Sequence, residues 1–381
     1  MDKDRASTPH VRTADDYLGM EHCDFAIIGG GLCGLRTASM LTARGAQCFV
    51  IEARDRVGGR VLSASSGRDS KSRLDMGPSW FWPDTQPRMR ELISSLGLET
   101  FPQAVDGAVL VERFRHEPAR RYSDSGVAAS RSMRVAGGMA SLTEAIAAAL
   151  PIGCLRLSSR ASKIAFAQRA GVRIELSGRR GPQVLTAGRV VLAIPPRVVV
   201  RDIEFSPALP SELLSALNEI PTWMAGQAKT AIVYKDRFWA KEGLSGTASS
   251  FVGPLGELHD STPLAGKPSL FGFVALPAET RSAIGVNRLH ELTIAQLVRL
   301  FGPQAATPVT IATVDWALER FTCTEADLLP DCALDKRSQG QLFLWSQNLL
   351  FTGSELAPEH AGYLEGALSA AESSVAMLGL L

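Results

Sequence analysis

Between Asp24 and Arg60 the hydrophobic period of the chain changes twice. An unbroken apolar run, Phe25 to Ile28, predicts a buried strand; Gly29, Gly30 and Gly31 predict a tight turn, and the segment from about Leu32 to Ala43 a helix. A second apolar run, Cys48 to Ile51, predicts another buried strand and stops at an acid, Glu52. Downstream, the spacing of Met89, Leu92, Ile93 and Leu96 gives a helix over 88–98 one apolar face, and residues 135–150 read as a glycine turn followed by a helix. Alternating runs at Lys163–Ala167 and Val172–Leu176, separated by Arg169, Ala170 and Gly171, predict a hairpin. Residues 189–196 predict a buried strand ended by Pro195 and Pro196. A new unit is expected from near Asn218: Lys229 heads an alternating strand reaching Trp239, strands follow at Leu270–Ala275 and Val309–Asp315, and an amphipathic helix separates them at about Leu289–Phe301. The chain closes on a buried strand ending at Gly353 and a long helix beginning around His360 to Gly362. Trp80, Phe81 and Trp82 break the periodic pattern: three consecutive large rings cannot all face one core, so at least one is expected to line a cavity or an interface.

Composition narrows the classes. A chain of 381 residues suggests about two domains, and 45% hydrophobic with 21% charged content is ordinary for a globular protein. A net charge of +1 offers no electrostatic reason to bind nucleic acid or an anionic membrane. No apolar run approaches the length of a membrane span. Residues 1–22 are polar, read as a flexible arm and lack the apolar core of a secretory signal, so the expected location is cytoplasmic. The 6 cysteines, Cys23, Cys33, Cys48, Cys154, Cys323 and Cys332, show no C-x-x-C pair and no histidine at metal-ligand spacing; reduced thiols and no metal are expected. Residues 112–134 hold Arg113, Arg115, Arg120, Arg121, Arg131 and Arg134, but Glu112, Glu117 and Asp124 dilute the charge, and a solvated loop or hairpin is expected.

The candidate chemistry starts at the glycines. Gly29, Gly31 and Gly34 form G-x-G-x-x-G between a strand and a helix. The first makes the turn, the second lets backbone approach a pyrophosphate, and the third lets helix and strand pack closely. The helix N-terminus then offers unpaired N–H groups and the positive end of its dipole to phosphate. Glu52 lies 18 residues past Gly34, near the spacing of a carboxylate that binds an adenosine ribose. Together these predict a dinucleotide site.

Residues 52–60, E-A-R-D-R-V-G-G-R, carry Arg54, Arg56, Gly58, Gly59 and Arg60, and resemble the signature of the flavin-containing amine oxidase family. Four further blocks are similar to that family and occur in its order: 74–80, 189–196, 229–239 and 349–367. The resemblance implies FAD rather than NAD. It implies an α/β fold, with a Rossmann-like FAD-binding domain over 23–82, 136–217 and 323–381 and an inserted mixed-sheet α+β substrate domain over 83–135 and 218–322. By similarity, Gly77, Pro78 and Ser79 run past the flavin, Ala161 lies near the adenine, Glu355 near the ribitol and pyrophosphate, and Leu364 by the pyrimidine edge. Lys229 matches the family's lysine, which holds a water at flavin N5 and is tied to reoxidation by oxygen. Tyr363 matches one of two aromatic rings that orient the amine, and Trp80, Trp82 and Trp316 are the other expected pocket residues.

Two departures bear on function. The second ring position of the family falls near Ala326, where no aromatic stands, unless Trp80, Phe81 or Trp82 completes the cage. The position of the covalent flavin cysteine of mitochondrial monoamine oxidases falls near Glu325, with Cys323 two residues away, so FAD is expected to be held non-covalently. No arginine follows Ser79 to grip a carboxylate, which favours an apolar or aromatic primary or secondary amine over an amino acid. The expected reaction takes amine and O2 to an imine, then aldehyde or ketone, with H2O2; a homodimer is an open assembly. Two other readings stand beside it: a related desaturase or oxidase acting on a C–C bond, against which Lys229 and the spacing of Glu355 and Tyr363 argue, and a flavin-binding protein with little oxidase activity, which the incomplete cage keeps open.

Overall fold

A computed structural model describes residues 21–65, 72–123, 132–166, 171–179, 181–329 and 340–380. Of the arm expected over 1–22, residues 1–20 lie outside the described residues, as do Asp124, Arg131, Ala167, the hairpin connection at Arg169 and Ala170, and Cys332, whereas Glu21 and His22 already belong to the first strand.

The first apolar run becomes the parallel strand Glu21–Ile28, flanked by Cys48–Ile51 and by Gln183–Leu192. Its apolar residues are continuous because both faces are covered. Phe25 and Ile27 join a cluster with Leu35, Leu41 and Leu368, while Ala26 and Ile28 join one with Ile164, Ile174 and Val199. Ile27 and Ile28 are almost wholly buried, each worth about 1.5–3 kcal/mol. Helices Leu32–Thr42 and Leu364–Met377 lie on the first face. Strand Gln183–Leu192 pairs twice along one edge, antiparallel with Val172–Gly178 and parallel with Leu349–Phe351 at Val190 to Leu192. That second pairing brings the C-terminal segment beside the glycine turn. Among the described residues the sheet has nine strands.

A seven-stranded mixed sheet runs in the order Thr310–Asp315, Ala228–Val233, Ser269–Val274, Leu255–Asp260, Leu244–Ser250, Ala108–Glu112 and Arg120–Tyr122. All its pairings are antiparallel except that of Leu244–Ser250 with Ala108–Glu112. The α/β architecture with an added mixed sheet is therefore as expected.

Several elements differ from expectation. The strand at Lys229 starts at Ala228 and stops at Val233, and Phe238–Lys241 is helical. All six strand residues are buried, because it is central and covered on both faces: Ala228 and Ile232 enter one cluster, Ala231 and Val233 another. Its alternation separates two interiors, not core from water. The helix expected from Leu289 extends back to Ala278, with a break at Gly285 (φ 73, ψ 165). Its first half has no apolar stripe; its buried residue there is Arg281, paired with Asp315 at 2.7 Å. The arginine-rich stretch is not wholly solvated. Arg134 is 3% exposed and donates to the carbonyls of Ser261 and Thr262, and Glu112 is buried against Arg299.

Candidate active site

A cavity of about 510 Å³, ordinary for a small-molecule site, is lined from both sheets. The glycine turn forms one end. Gly29 has φ +110, and a Cβ there would stand 2.6 Å from the Ala193 carbonyl oxygen. A Cβ on Gly34 would stand 2.0 Å from the Gly29 carbonyl oxygen, whereas one on Gly31 would meet nothing within 4 Å. Gly34 is thus excluded from the cavity lining and holds helix to strand; Gly31 lines the cavity with its free side open. This cradle fits a dinucleotide pyrophosphate at the N-terminus of Leu32–Thr42. Gly34→Ala is expected to lose about 2–4 kcal/mol of stability, and Gly31→Ala to fold normally but bind FAD less tightly. Denaturant unfolding and FAD titration check the pair; equal stabilities for the two variants would contradict it.

Glu52 is 4% exposed and already oriented: one oxygen accepts from the Gly30 N–H at 2.8 Å and the other from the Arg54 N–H at 2.8 Å. The guanidinium of Arg54 is held by Glu319 at 2.7 Å and Thr322 at 2.8 Å. Arg60 pairs with Glu355 at 2.6 Å and also reaches Ser354. Gly59 and Arg60 line the wall with them, whereas Arg56 spends its donors on loop carbonyls of Val57, Val61 and Gly59.

At the other end, Gly77, Pro78 and Ser79 pass the tip of Lys229. Its ammonium donates to the Gly77 carbonyl at 3.0 Å and the Ser79 hydroxyl at 2.6 Å, and lies 3.8 Å from the centre of the Phe271 ring. Burial pulls its pKa down from 10.5 to about 7; Asp75 opposes that pull and Arg134 adds to it. Asp75 is itself buried, and burial raises its pKa although Arg134, Ser63, Lys229 and Met139 favour the charged form. Trp316 lines the cavity and donates its indole N–H to the Met76 carbonyl at 3.1 Å.

Of the three adjacent rings, Trp80 and Trp82 line the cavity and Phe81 is buried in the first core. Trp80 packs edge-on against His259 and donates to Gln103 at 2.8 Å. Tyr363 caps the last helix, which begins one residue later at Leu364 and not around His360 to Gly362. The reason is local: His360 and Gly362 have φ of 53 and 82, and the Gly362 N–H is taken by the Ser354 carbonyl. Tyr363 and Leu364 both line the cavity. Ala161 does not: it sits in the strand Ser159–Phe166, within the core cluster of Ile164 and Leu176.

The cavity also has walls that the sequence did not single out, among them Trp223, Glu257 and Phe321. Trp223 stands in the turn before the Lys229 strand, and its ring meets Tyr363 with centroids 5.6 Å apart. A lone tryptophan among Pro221, Thr222, Met224 and Gly226 was the available signal. Glu257 meets His259 at 2.7 Å, and that hydrogen bond lowers its pKa although burial opposes it. Among the described residues no group of histidine, cysteine and carboxylate side chains could hold a metal, and no helix is long and apolar enough to cross a membrane.

The chain matches the family described as flavin containing amine oxidoreductase over residues 32–130 and 116–378. It is 25% identical to the putative flavin-containing monoamine oxidase AofH of Mycobacterium tuberculosis, covering 94% of this chain and 97% of that protein. It is also 25% identical to the putrescine oxidase of Kocuria rosea over 82% of this chain and 85% of that one. Among solved structures, a putrescine oxidase double mutant superposes with a TM-score of 0.78 at 21% identity, covering 95% of this chain and 100% of that one. Cyclohexylamine oxidase from Brevibacterium oxydans does so with a TM-score of 0.76 at 20% identity, covering 93% and 98%. The fold is thus that of these oxidases, and the glycine cradle with Glu52 is a fitting seat for the cofactor: the chain belongs to the flavin-containing amine oxidoreductases, FAD-dependent enzymes that act on amines.

Proposed function

We propose that the chain oxidises an apolar or aromatic primary or secondary amine to the imine, which water converts to aldehyde or ketone, while O2 becomes H2O2. Bound FAD would supply the two-electron acceptor, taking a hydride at N5 from the carbon next to nitrogen and passing the electrons to oxygen. The carrying observation is the buried Lys229 at the cavity wall, held by Gly77 and Ser79. A lysine is not needed there for packing, since desolvating it is costly. Glu52, Gly29 and Gly31 bind the adenosine half in this reading, with Arg54, Gly59, Arg60 and Glu355 along the middle. The helix N-terminus at Tyr363 and Leu364 would offer its free N–H groups and dipole to negative charge on the bound cofactor. Non-covalent attachment agrees with Cys323 being buried and donating to the Thr324 carbonyl.

An amine fits better than an amino acid. Both arginines lining the cavity are matched by carboxylates, Arg54 by Glu319 and Arg60 by Glu355, so neither is left to clamp a substrate carboxylate. The division into an FAD-binding unit over 23–82, 136–217 and 323–381 and a substrate unit over 83–135 and 218–322 is supported by strand membership. Every strand of the seven-stranded sheet falls in the second set of ranges. Anaerobic titration with benzylamine, cyclohexylamine and putrescine is expected to bleach the flavin band, and admitted air to restore it with one H2O2 per imine. Should none of a broad amine panel bleach it, the proposal fails.

A further inference from the structure

Resting on that reading, we infer that Trp223 is the second aromatic wall of the amine site, facing Tyr363 in place of the ring missing at Ala326. The two side chains line the same cavity, with ring centroids 5.6 Å apart and planes inclined by 33°. Residues 325–328, which include the family's ring position near Ala326, form a short 3-10 turn that does not line the cavity. That turn does something else. Its Asp327, 6% exposed, accepts from the Thr222 N–H at 2.9 Å and from Arg197 at 2.7 Å, fixing the residue just before Trp223. The turn that carries the ringless position thereby anchors the segment that supplies a ring.

Trp223 itself is held by its backbone at both polar atoms. Its N–H donates to Glu355 at 3.2 Å and its carbonyl accepts from Arg60 at 2.9 Å. Met224 follows with φ +61, a left-handed conformation uncommon for a non-glycine residue, and lines the cavity beside it. At 5.6 Å the rings are in contact and line the cavity together, so the indole extends the aromatic surface on which an amine packs. An indole face attracts an ammonium and packs on an apolar substituent, and indole is the strongest of the aromatic faces for the former. The ligand class is therefore a protonated amine carrying a flat or cyclic apolar group.

The test is equilibrium binding of α,α-dimethylbenzylamine, which has no hydrogen to give up on the carbon next to nitrogen, to the FAD-loaded protein, read by calorimetry. Trp223→Ala and Trp223→Leu are expected to weaken binding about tenfold, Trp223→Phe by threefold or less. Tyr363→Leu combined with Trp223→Leu should be less than additive, because each ring loses its partner once. An unchanged flavin spectrum and unfolding midpoint in Trp223→Phe separates recognition from folding should the smaller variants fail to fold. Wild-type affinity in Trp223→Leu, or full additivity with Tyr363→Leu, overturns the assignment. Tight binding of that probe with no bleaching by benzylamine or any other oxidisable amine would instead sink the oxidase reading and leave Trp223 in place; no binding of any amine by the wild type sinks both.

Discussion

Lys229→Met is expected to keep FAD bound, to leave anaerobic reduction by an amine within about tenfold, and to slow reaction of the reduced protein with oxygen by about 100-fold or more. The residue is 2% exposed, and its donors are committed to Gly77 and Ser79. With a pKa lowered to about 7, its ammonium holds the proton below neutrality and gives it up above. If the charged form assists the oxygen step, that rate is high below about pH 7 and falls as pH rises through that value. In Lys229→Met the dependence should flatten. Stability runs differently: between about 7 and 10.5 the unfolded chain binds more protons at this lysine than the folded one, so its effect on stability becomes less unfavourable as pH rises. Methionine removes the buried charge, and Arg134 still faces Asp75, so stability at pH 7 should not drop. Stopped-flow measurement of the two half-reactions checks the split. Equal slowing of both halves would contradict a role confined to oxygen.

What the sequence disclosed is uneven, and for physical reasons. The glycine turn was legible because a backbone within 2.0 Å of a would-be Cβ leaves no choice of residue at Gly34, and such constraints are local. Glu52 and Lys229 were legible through their neighbours in short, patterned segments. Trp223 was not, since it meets a ring 140 residues away, at Tyr363, and its segment is held by the Thr222 N–H donating to Asp327, its own N–H donating to Glu355 and Arg60 donating to its carbonyl, none of which any periodicity records. The helix from Ala278 was half hidden because its early buried residue is an arginine, satisfied by Asp315. Arg134 was misjudged for the same reason: a guanidinium can be buried when carbonyls such as those of Ser261 and Thr262 receive its donors. Ala161, transferred by likeness alone, sits in the core.

Glu355→Leu is expected to be the most damaging single change to the cavity wall, because one carboxylate serves three partners. It takes a 2.6 Å ion pair from Arg60, a 2.8 Å bond from the Ser354 hydroxyl and a 3.2 Å bond from the Trp223 N–H. Removing it strands the Arg60 guanidinium, and breaking a buried pair costs about 3–5 kcal/mol; with the Arg60 side chain still 25% exposed, the low end applies. FAD affinity and amine affinity should fall together, since Arg60 and Trp223 are anchored at the same point. Glu355→Gln keeps an acceptor for Trp223 but not the charge, and should lose about half as much. Burial alone would raise the Glu355 pKa, yet Arg60 and Ser354 hold it below the usual 4.5. A carboxylate with a depressed folded pKa stabilises above its unfolded value, and that contribution disappears as pH falls through the folded one. The stability difference between wild type and Glu355→Gln should therefore be constant from about pH 8 down to about pH 5, and shrink below 4.5. Urea unfolding across that range measures it. A difference that persists undiminished into acid would mean that Glu355 acts by shape and hydrogen bonding rather than by its charge.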